Sequence, residues 1–247
     1  MTVPYKDVDL LGRLPFSALF DILQDLAGEH ADLLGVGTGS LRERNQSWVL
    51  SRMRIEAARM LRAGEEIDLL TWPRGIDRLL ALRDFLLLDA AGGTVVTGSS
   101  SWLLVDLGTM RPQRIDRAHP HLADLQGDLA IGRDAERISP PAAAVPVDTR
   151  RVRYSEVDIN RHVNNAHYVA WVEDAVGSRL SAGERLQAIE INYLSEARMG
   201  DRVLIGMTGG PGGADLLDMV REEDGARLAL AKVEWAPGGR AAREGGG

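Results

Sequence analysis

The amino-acid sequence predicts an α+β protein made of two copies of one unit, each an antiparallel sheet wrapped around a long central helix. Three observations carry this. A helix is read once in each half, and each helix is followed by segments that alternate or are densely apolar, as strands buried on one face are. The halves also align residue on residue. Tyr5, Val8, Asp9 and Leu14 match Tyr154, Val157, Asp158 and Val163 at one offset (158 − 9 = 149). Arg62, Gly64, Glu65 and Ile67 match Arg198, Gly200, Asp201 and Val203 at another (198 − 62 = 136). Shorter loops in the second half account for the change of register, and two copies of one fold follow.

The elements are justified in chain order. A short strand opens the first half. Apolar residues at Phe16, Leu19, Phe20, Leu23, Leu26, Ala27 and Leu34 then recur at helical spacing, with Pro15 before and Gly35 after as start and stop signals. Strands follow at Ser47 to Ala57, Glu66 to Trp72, Leu79 to Leu88 and Thr94 to Val105, with Ala91-Gly92-Gly93 as the last hairpin turn. The stretch from Asp106 to Pro146 breaks the pattern with five prolines, and it reads as a linker. The expected units are thus residues 1–110, a linker over 111–146, and residues 147–240. The order then repeats: a strand over Val147 to Tyr154, a helix from about Asn164 to Leu180, and strands over Leu186 to Leu194, Arg202 to Met207, Asp215 to Val220 and Ala226 to Trp235. Glu223-Asp224-Gly225 supplies the matching last turn. Gly209-Gly210-Pro211-Gly212-Gly213 is a hairpin turn rather than a phosphate cradle, since no Lys-Ser/Thr follows it. The two sheets are expected to join edge to edge, protecting both inner edges, and Gly245-Gly246-Gly247 to be a disordered tail.

Composition excludes several chemistries. The chain has no cysteine, which removes disulfides, thiolate-bound zinc and a cysteine nucleophile. No apolar run approaches the ~20 residues of a membrane-spanning helix. The first patterned segment begins at Tyr5, which leaves no room for a signal peptide, so a cytoplasmic location is expected. A formal charge of −7 disfavours general attraction to nucleic acid or an anionic membrane. His119 and His121 lack a carboxylate or third ligand at metal-binding spacing, so no metal and no cofactor are expected.

The densest polar cluster is Tyr154-Ser155-Glu156-Val157-Asp158-Ile159-Asn160-Arg161-His162-Val163-Asn164-Asn165, between a strand end and a helix start. Asp158, Asn160 and His162 alternate and can project to one side of an extended segment. Asn164 and Asn165 stand where the helix needs an N-cap, and the unpaired amides of its first turn are suited to a developing oxyanion.

This cluster resembles the signature of the acyl-ACP thioesterases of plants and bacteria, Asp-x-Asn-x-His-Val-Asn-Asn. The resemblance extends to Tyr168 and Trp171, to Tyr193-x-x-Glu196, and in the first half to Trp48-Val49 and Arg52-Met53, from Tyr5 to about Trp235. It implies tandem hotdog folds and hydrolysis of the thioester between a fatty acyl chain and its carrier protein, with Asp158, Asn160, His162 and Glu196 as the catalytic network. It also places an acyl tunnel in the first half, with Leu19, Leu23, Trp48 and Met53 as wall residues. Many plant members follow the downstream Glu with a Cys once considered a nucleophile. Here the residue is Ala197, so the chemistry must proceed without a thiol, by water attack or through a carboxylate.

The first half has lost the set, because Leu11 and Arg13 stand where Asn160 and His162 stand in the second. One catalytic site per chain is expected. Asp9 remains opposite Asp158, which suggests a structural task for this aspartate in both halves. An acyl-CoA thioesterase of the same superfamily and a non-catalytic acyl-binding protein are the competing readings. The expected partner is an acidic acyl carrier protein, which a chain of charge −7 can meet only through segregated basic residues. Arg150, Arg151, Arg153 and Arg161 lie nearest the motif, with Arg111, Arg114 and Arg117 in the linker. Whether the chain forms a homodimer is left open by the sequence.

Overall fold

In the computed structural model, residues 1–237 are described, and the expected glycine tail and positions 238–240 lie outside them. Helix α1 (Phe16–Leu33) and the short α2 (Thr38–Arg42) precede strands β1 (Gln46–Ala57), β2 (Ile67–Asp77), β3 (Leu80–Asp89) and β4 (Thr94–Asp106). After α3 (Ile115–Ala118), the second half runs β5 (Val145–Arg151), α4 (Asn165–Ala175), α5 (Gly177–Ser181), β6 (Leu186–Tyr193), β7 (Arg202–Gly209), β8 (Asp215–Arg221) and β9 (Arg227–Trp235). The strands form one nine-stranded sheet in the order β2-β3-β4-β1-β6-β9-β8-β7-β5, antiparallel at every pairing.

The halves meet where β1 pairs with β6, placing Met53 opposite Ile191, Arg54 opposite Glu190 and Ile55 opposite Ile189. Since 54 + 136 = 190, Arg54 and Glu190 are each other's counterparts and lie on the local twofold. Their side chains meet there at 3.3 Å. The expected edge-to-edge joining is observed, and no inner edge is left open.

Both helices bury one face on this sheet. Phe16, Leu19, Phe20, Leu23, Ala27 and Ala31 of α1 are buried, as are Ala166, Tyr168, Val169, Trp171 and Val172 of α4. With Met53, Ile55, Phe85, Ile189 and Ile191, all of these except Ala31 belong to one core continuous across both halves. Burying a large apolar side chain contributes about 1.5–3 kcal/mol, so the shared core binds the two halves into one body.

The duplication reappears bond for bond. Val3 donates its N–H to Glu65 O and accepts at its carbonyl from Gly64 N–H, each at 2.9 Å; Val152 does the same with Asp201 O and Gly200 N–H, at 2.9 and 3.0 Å. Leu14 N–H to Leu61 O repeats as Val163 N–H to Ala197 O, both 2.9 Å. Gly64 and Gly200 have positive φ of 81° and 94°, a conformation glycine adopts without steric cost, which explains why both copies keep it.

Two elements differ from expectation. The helix expected over Asn164 to Leu180 is broken, because Val176, buried and with ψ of 10°, leaves the helical path before Gly177 begins α5. Glycine has low helix propensity, and the break keeps the Val176 side chain in the core. The opening strand is absent as such. A 3-10 turn at Tyr5–Asp7 and isolated bridges from Thr2 to Glu66 and Arg13 to Arg62 replace it. Val3 keeps the pairing that Val152 makes just after β5, and Pro4 has no N–H with which to extend it.

The proline-rich connection is closely packed. Ile115, Leu122, Ile131, Ala135 and Ile138 are buried. Its backbone satisfies polar groups of the sheet: Ala130 N–H donates to Asp84 at 2.9 Å, Ile138 N–H to Asn192 Oδ1 at 2.8 Å, and Asn192 Nδ2 to Glu136 O at 2.9 Å. Arg133 reaches Glu234 at 3.2 Å. His119 is buried between Gln46, at 2.9 Å, and Arg44, at 3.2 Å, which gives it a structural role.

Candidate active site

The polar motif forms a tight loop ahead of α4. Asp158 N–H donates to His162 O at 2.9 Å, Arg161 N–H to Asp158 O at 3.0 Å, and Asn160 N–H to Asp158 Oδ1 at 2.8 Å. An aspartate that accepts from the backbone two residues on favours such a turn over strand or helix. Asp9 builds the same loop in the first half, with its N–H on Arg13 O at 2.7 Å and its Oδ1 accepting from Leu11 N–H at 2.8 Å and Arg13 N–H at 2.9 Å. The aspartate therefore shapes the loop in both copies, whatever chemistry the loop carries.

The loop presents His162 to Glu196 across a gap of 2.8 Å, Nε2 to Oε2, and both side chains are partly open to solvent. Glu196 comes from the segment after β6. That segment is fixed by Val163 N–H on Ala197 O and by Ala197 N–H on the Tyr168 hydroxyl, at 3.0 Å. The Tyr193 hydroxyl donates to Asn165 O at 2.9 Å. Burial pushes the Tyr168 hydroxyl up to about 12 and Tyr193 well above the ordinary phenol range, so both remain neutral. Ala197 is buried at the position of the missing cysteine.

Asn164 is the N-cap, its Oδ1 accepting from Ala166 N–H at 2.9 Å. The neighbouring Asn165 N–H has no protein acceptor among the described residues. An uncapped amide at the positive end of a helix dipole, beside a His–Glu pair, can hold an oxygen that gains negative charge.

The structure brings His162, Glu196, Asn164 and Asn165 together. The amide of Asn160 turns elsewhere, donating to Asp158 Oδ2 at 3.3 Å and accepting from Arg42 Nη2 at 3.0 Å. Arg42, at the end of α2, is a contribution of the first half that the motif does not reveal. Gln24 on α1 is another, accepting from Asn165 Nδ2 at 2.8 Å. Neither has a local signature; the offset of 149 could have pointed to Gln24, because its counterpart Glu173 occupies the same place at the start of α1 (173 − 24 = 149). There the Glu173 carboxylate accepts from Phe16 N–H at 2.7 Å and Ser17 N–H at 3.1 Å. Burial pushes the Glu173 carboxyl up to about 7, against these hydrogen bonds. The counterpart of Glu196 is Met60 (196 − 136 = 60), packed against the core.

Leu19, Leu23 and Met53 are fully buried in the large core, while Trp48 lies in a smaller cluster with Val36, Leu41 and Leu104 and donates its Nε1–H to Val36 O at 2.9 Å. Arg150 is engaged by Asp148 and Asp174, each at 2.7 Å. Arg151, Arg153 and Arg161 are exposed. Arg150, Arg151 and Arg153 line an open cleft of about 470 Å³ with Asp148, Thr149, Glu156 and Asp174.

Comparison with known proteins matches residues 1–119 to the acyl-ACP thioesterase N-terminal domain and residues 142–237 to the C-terminal domain of that family. The chain is 25% identical over 236 residues to a chloroplastic palmitoyl-acyl carrier protein thioesterase of Cuphea hookeriana, covering 87% of this chain and 56% of that protein. It thus spans a little over half the length of the curated plant relatives it matches. A crystal structure of an acyl-ACP thioesterase from Bacteroides thetaiotaomicron superimposes with a TM-score of 0.87 at 27% identity, over 96% of each chain. The 12:0-ACP thioesterase from Umbellularia californica shares the fold, with a TM-score of 0.84 at 20% identity over 96% of each chain. No helix among the described residues is long and apolar enough to cross a membrane.

Proposed function

Because the chain belongs to the acyl-ACP thioesterase family, we propose that it hydrolyses the thioester between a fatty acyl chain and acyl carrier protein, releasing the free acid. The observation that carries this is the His162–Glu196 contact of 2.8 Å in the loop ahead of α4, whose Asn165 N–H has no protein acceptor among the described residues. A water molecule attacks the thioester carbonyl carbon, and the His162–Glu196 pair takes its proton. The carbonyl oxygen becomes an oxyanion held at the start of α4. As the intermediate collapses, the carbon–sulfur bond breaks and the pair returns the proton to the leaving sulfur, giving acid and thiol. Asp158 holds the loop that aims His162, and Asn160, bridged to Arg42, ties that loop to the first half.

In this reading Leu19, Leu23, Met53 and Trp48 wall the acyl site in the first half, residues 1–110. The second half, residues 147–240, supplies the chemistry. Arg151, Arg153 and Arg161 meet the acidic carrier, with Arg150 held in place by its two aspartates. Family membership and the intact chemical set favour this over acyl-CoA hydrolysis and over passive acyl binding. The test is thiol release from a panel of acyl-ACP and acyl-CoA substrates by the purified chain. Faster hydrolysis of acyl-ACP is expected; turnover of acyl-CoA alone would assign the wrong carrier, and turnover of neither would overturn the reading.

A further inference from the structure

The local twofold that relates the two helices assigns a role to Gln24. Helix α1 begins at Phe16 and α4 at Asn165, 149 residues apart, and each helix places the side chain of its ninth residue on the start of the other. At α1 that side chain is the Glu173 carboxylate, which accepts from the Phe16 and Ser17 amides and closes that helix start. At α4 it is Gln24. Its Oε1 accepts from Asn165 Nδ2, while its Nε2 is buried and has no protein hydrogen-bond partner among the described residues. A buried donor without an acceptor is costly, and in a native structure it calls for an explanation such as a ligand atom absent from the apoprotein. The Asn165 N–H, equivalent to the Phe16 N–H that Glu173 occupies, also lacks a protein acceptor among the described residues. The carboxylate oxygens at α1 thus mark the position an oxygen takes at such a helix start. At α4 that position has two unsatisfied donors, and the loop carrying His162 leads directly into it, tied to the Glu196 segment through Val163 N–H on Ala197 O.

We propose that Gln24 is a catalytic residue supplied by the first half: its Nε2–H donates to the thioester carbonyl oxygen, beside the Asn165 N–H, and the bond strengthens as that oxygen becomes an oxyanion. The proposal rests on the hydrolysis reading above. It explains why the two copies differ at this position. A carboxylate at position 24 would itself satisfy the α4 amides and repel the developing negative charge, whereas a neutral amide donates to it.

The test uses Gln24→Met, which keeps the length and removes the donor, and Gln24→Glu, which copies the arrangement at α1, with the unaltered chain alongside. Loss of one oxyanion donor typically costs ~10²–10³ in kcat. Gln24→Met is expected to lower kcat on that scale, with KM within about threefold, a pH–rate profile parallel to that of the unaltered chain, and a melting temperature lowered only slightly, by loss of the Oε1 acceptor of Asn165 Nδ2. Gln24→Glu is expected to be at least as slow at neutral pH and to recover part of its rate as the pH falls and the introduced carboxyl protonates. If the unaltered chain hydrolyses acyl-ACP and folded Gln24→Met keeps kcat within twofold, the assignment of Gln24 is overturned and the hydrolysis reading stands. A shifted pH profile in Gln24→Met would overturn it too, pointing to an effect on the His162–Glu196 pair. Should the unaltered chain release no thiol from any substrate, both fall together.

Discussion

The starts of α1 and α4 occupy equivalent places in the duplicated fold, yet one is closed by a carboxyl group and the other carries the side chains to which the proposed hydrolysis is assigned. Both follow an aspartate loop of the same hydrogen-bonded form and both receive a side chain from the partner helix. Around α1 the surrounding positions hold Leu11, Arg13 and Met60, and a carboxylate fills the helix amides; around α4 they hold Asn160, His162 and Glu196, and the filling group is an amide. Fold and reactivity are therefore separable here. The loop, the helix and the sheet register persist in both copies, while a few side chains decide which helix start can stabilise an oxyanion.

The largest effect should come from the residues that distinguish the copies. His162→Ala is expected to lower turnover of acyl-ACP by ~10²–10⁴, the scale of losing a general acid–base group. Arg13→Ala, at the equivalent position, should leave turnover within twofold. Steady-state kinetics on both folded variants checks this, and comparable losses would mean that the first half is catalytic as well.

Much of this contrast is legible in the sequence, for identifiable reasons. Strands β1, β3, β4 and β6 to β9 lie close to their expected ranges because a sheet with one buried face imposes alternation on its residues. The His162–Glu196 pair could be anticipated from the motif and the downstream Tyr193-x-x-Glu196. Gln24 and Arg42 have no local signal, since their partners Asn165 and Asn160 lie 141 and 118 residues away and a single glutamine or arginine on a helix carries no periodicity, and only the repeat offset of 149 points to Gln24. The packing of the connection between the halves was hidden for a related reason. Ile131, Ala135 and Ile138 are spaced by four and three, as on a helix, yet the segment forms none, and what holds it is backbone hydrogen bonding to Asp84 and Asn192.

The closed helix start makes its own prediction about pH. The Glu173 carboxyl is raised from 4.5 to about 7 by burial, so the folded chain holds that proton more tightly than the unfolded chain does. Its contribution to stability is fully present below the unfolded value and is lost as the pH rises through the folded value. Thermal melts between pH 4.5 and 7 should therefore show the unaltered chain losing stability relative to Glu173→Gln as pH increases. Parallel curves for the two proteins would show that the carboxylate is stabilised by the α1 amides as well as it is by water. That outcome would make the closure of α1 an active capping interaction.

A smaller effect separates the structural task of the loop aspartate from any catalytic one. Asp9→Ala and Asp158→Ala each remove side-chain acceptors of backbone amides, and each should cost about 1 kcal/mol of stability, within the range for losing a capping side chain. Only Asp158→Ala should also slow turnover, because only its loop aims a histidine. Chemical denaturation with parallel kinetics checks both halves of the statement, and equal slowing by Asp9→Ala would break the proposed division of labour.

The smallest effect lies at the tip of the same loop. Gly12 and Arg161 are counterparts (161 − 12 = 149) with nearly identical backbone, φ of 69° and 67°. Glycine adopts this left-handed conformation freely, whereas a residue with a Cβ pays roughly 1 kcal/mol. Arg161→Gly should therefore gain up to about 1 kcal/mol at most, reduced by the greater entropy that glycine gives the unfolded chain. A local backbone cost retained in the second copy alone fits an exposed cation that is used there under the proposed function. If Arg161 meets the carrier, the variant should have a higher KM for acyl-ACP, less sensitive to salt, with unchanged hydrolysis of a short acyl thioester that has no carrier. An unchanged KM for acyl-ACP in the stabilised variant would remove Arg161 from the docking surface and leave Arg151 and Arg153 to carry it.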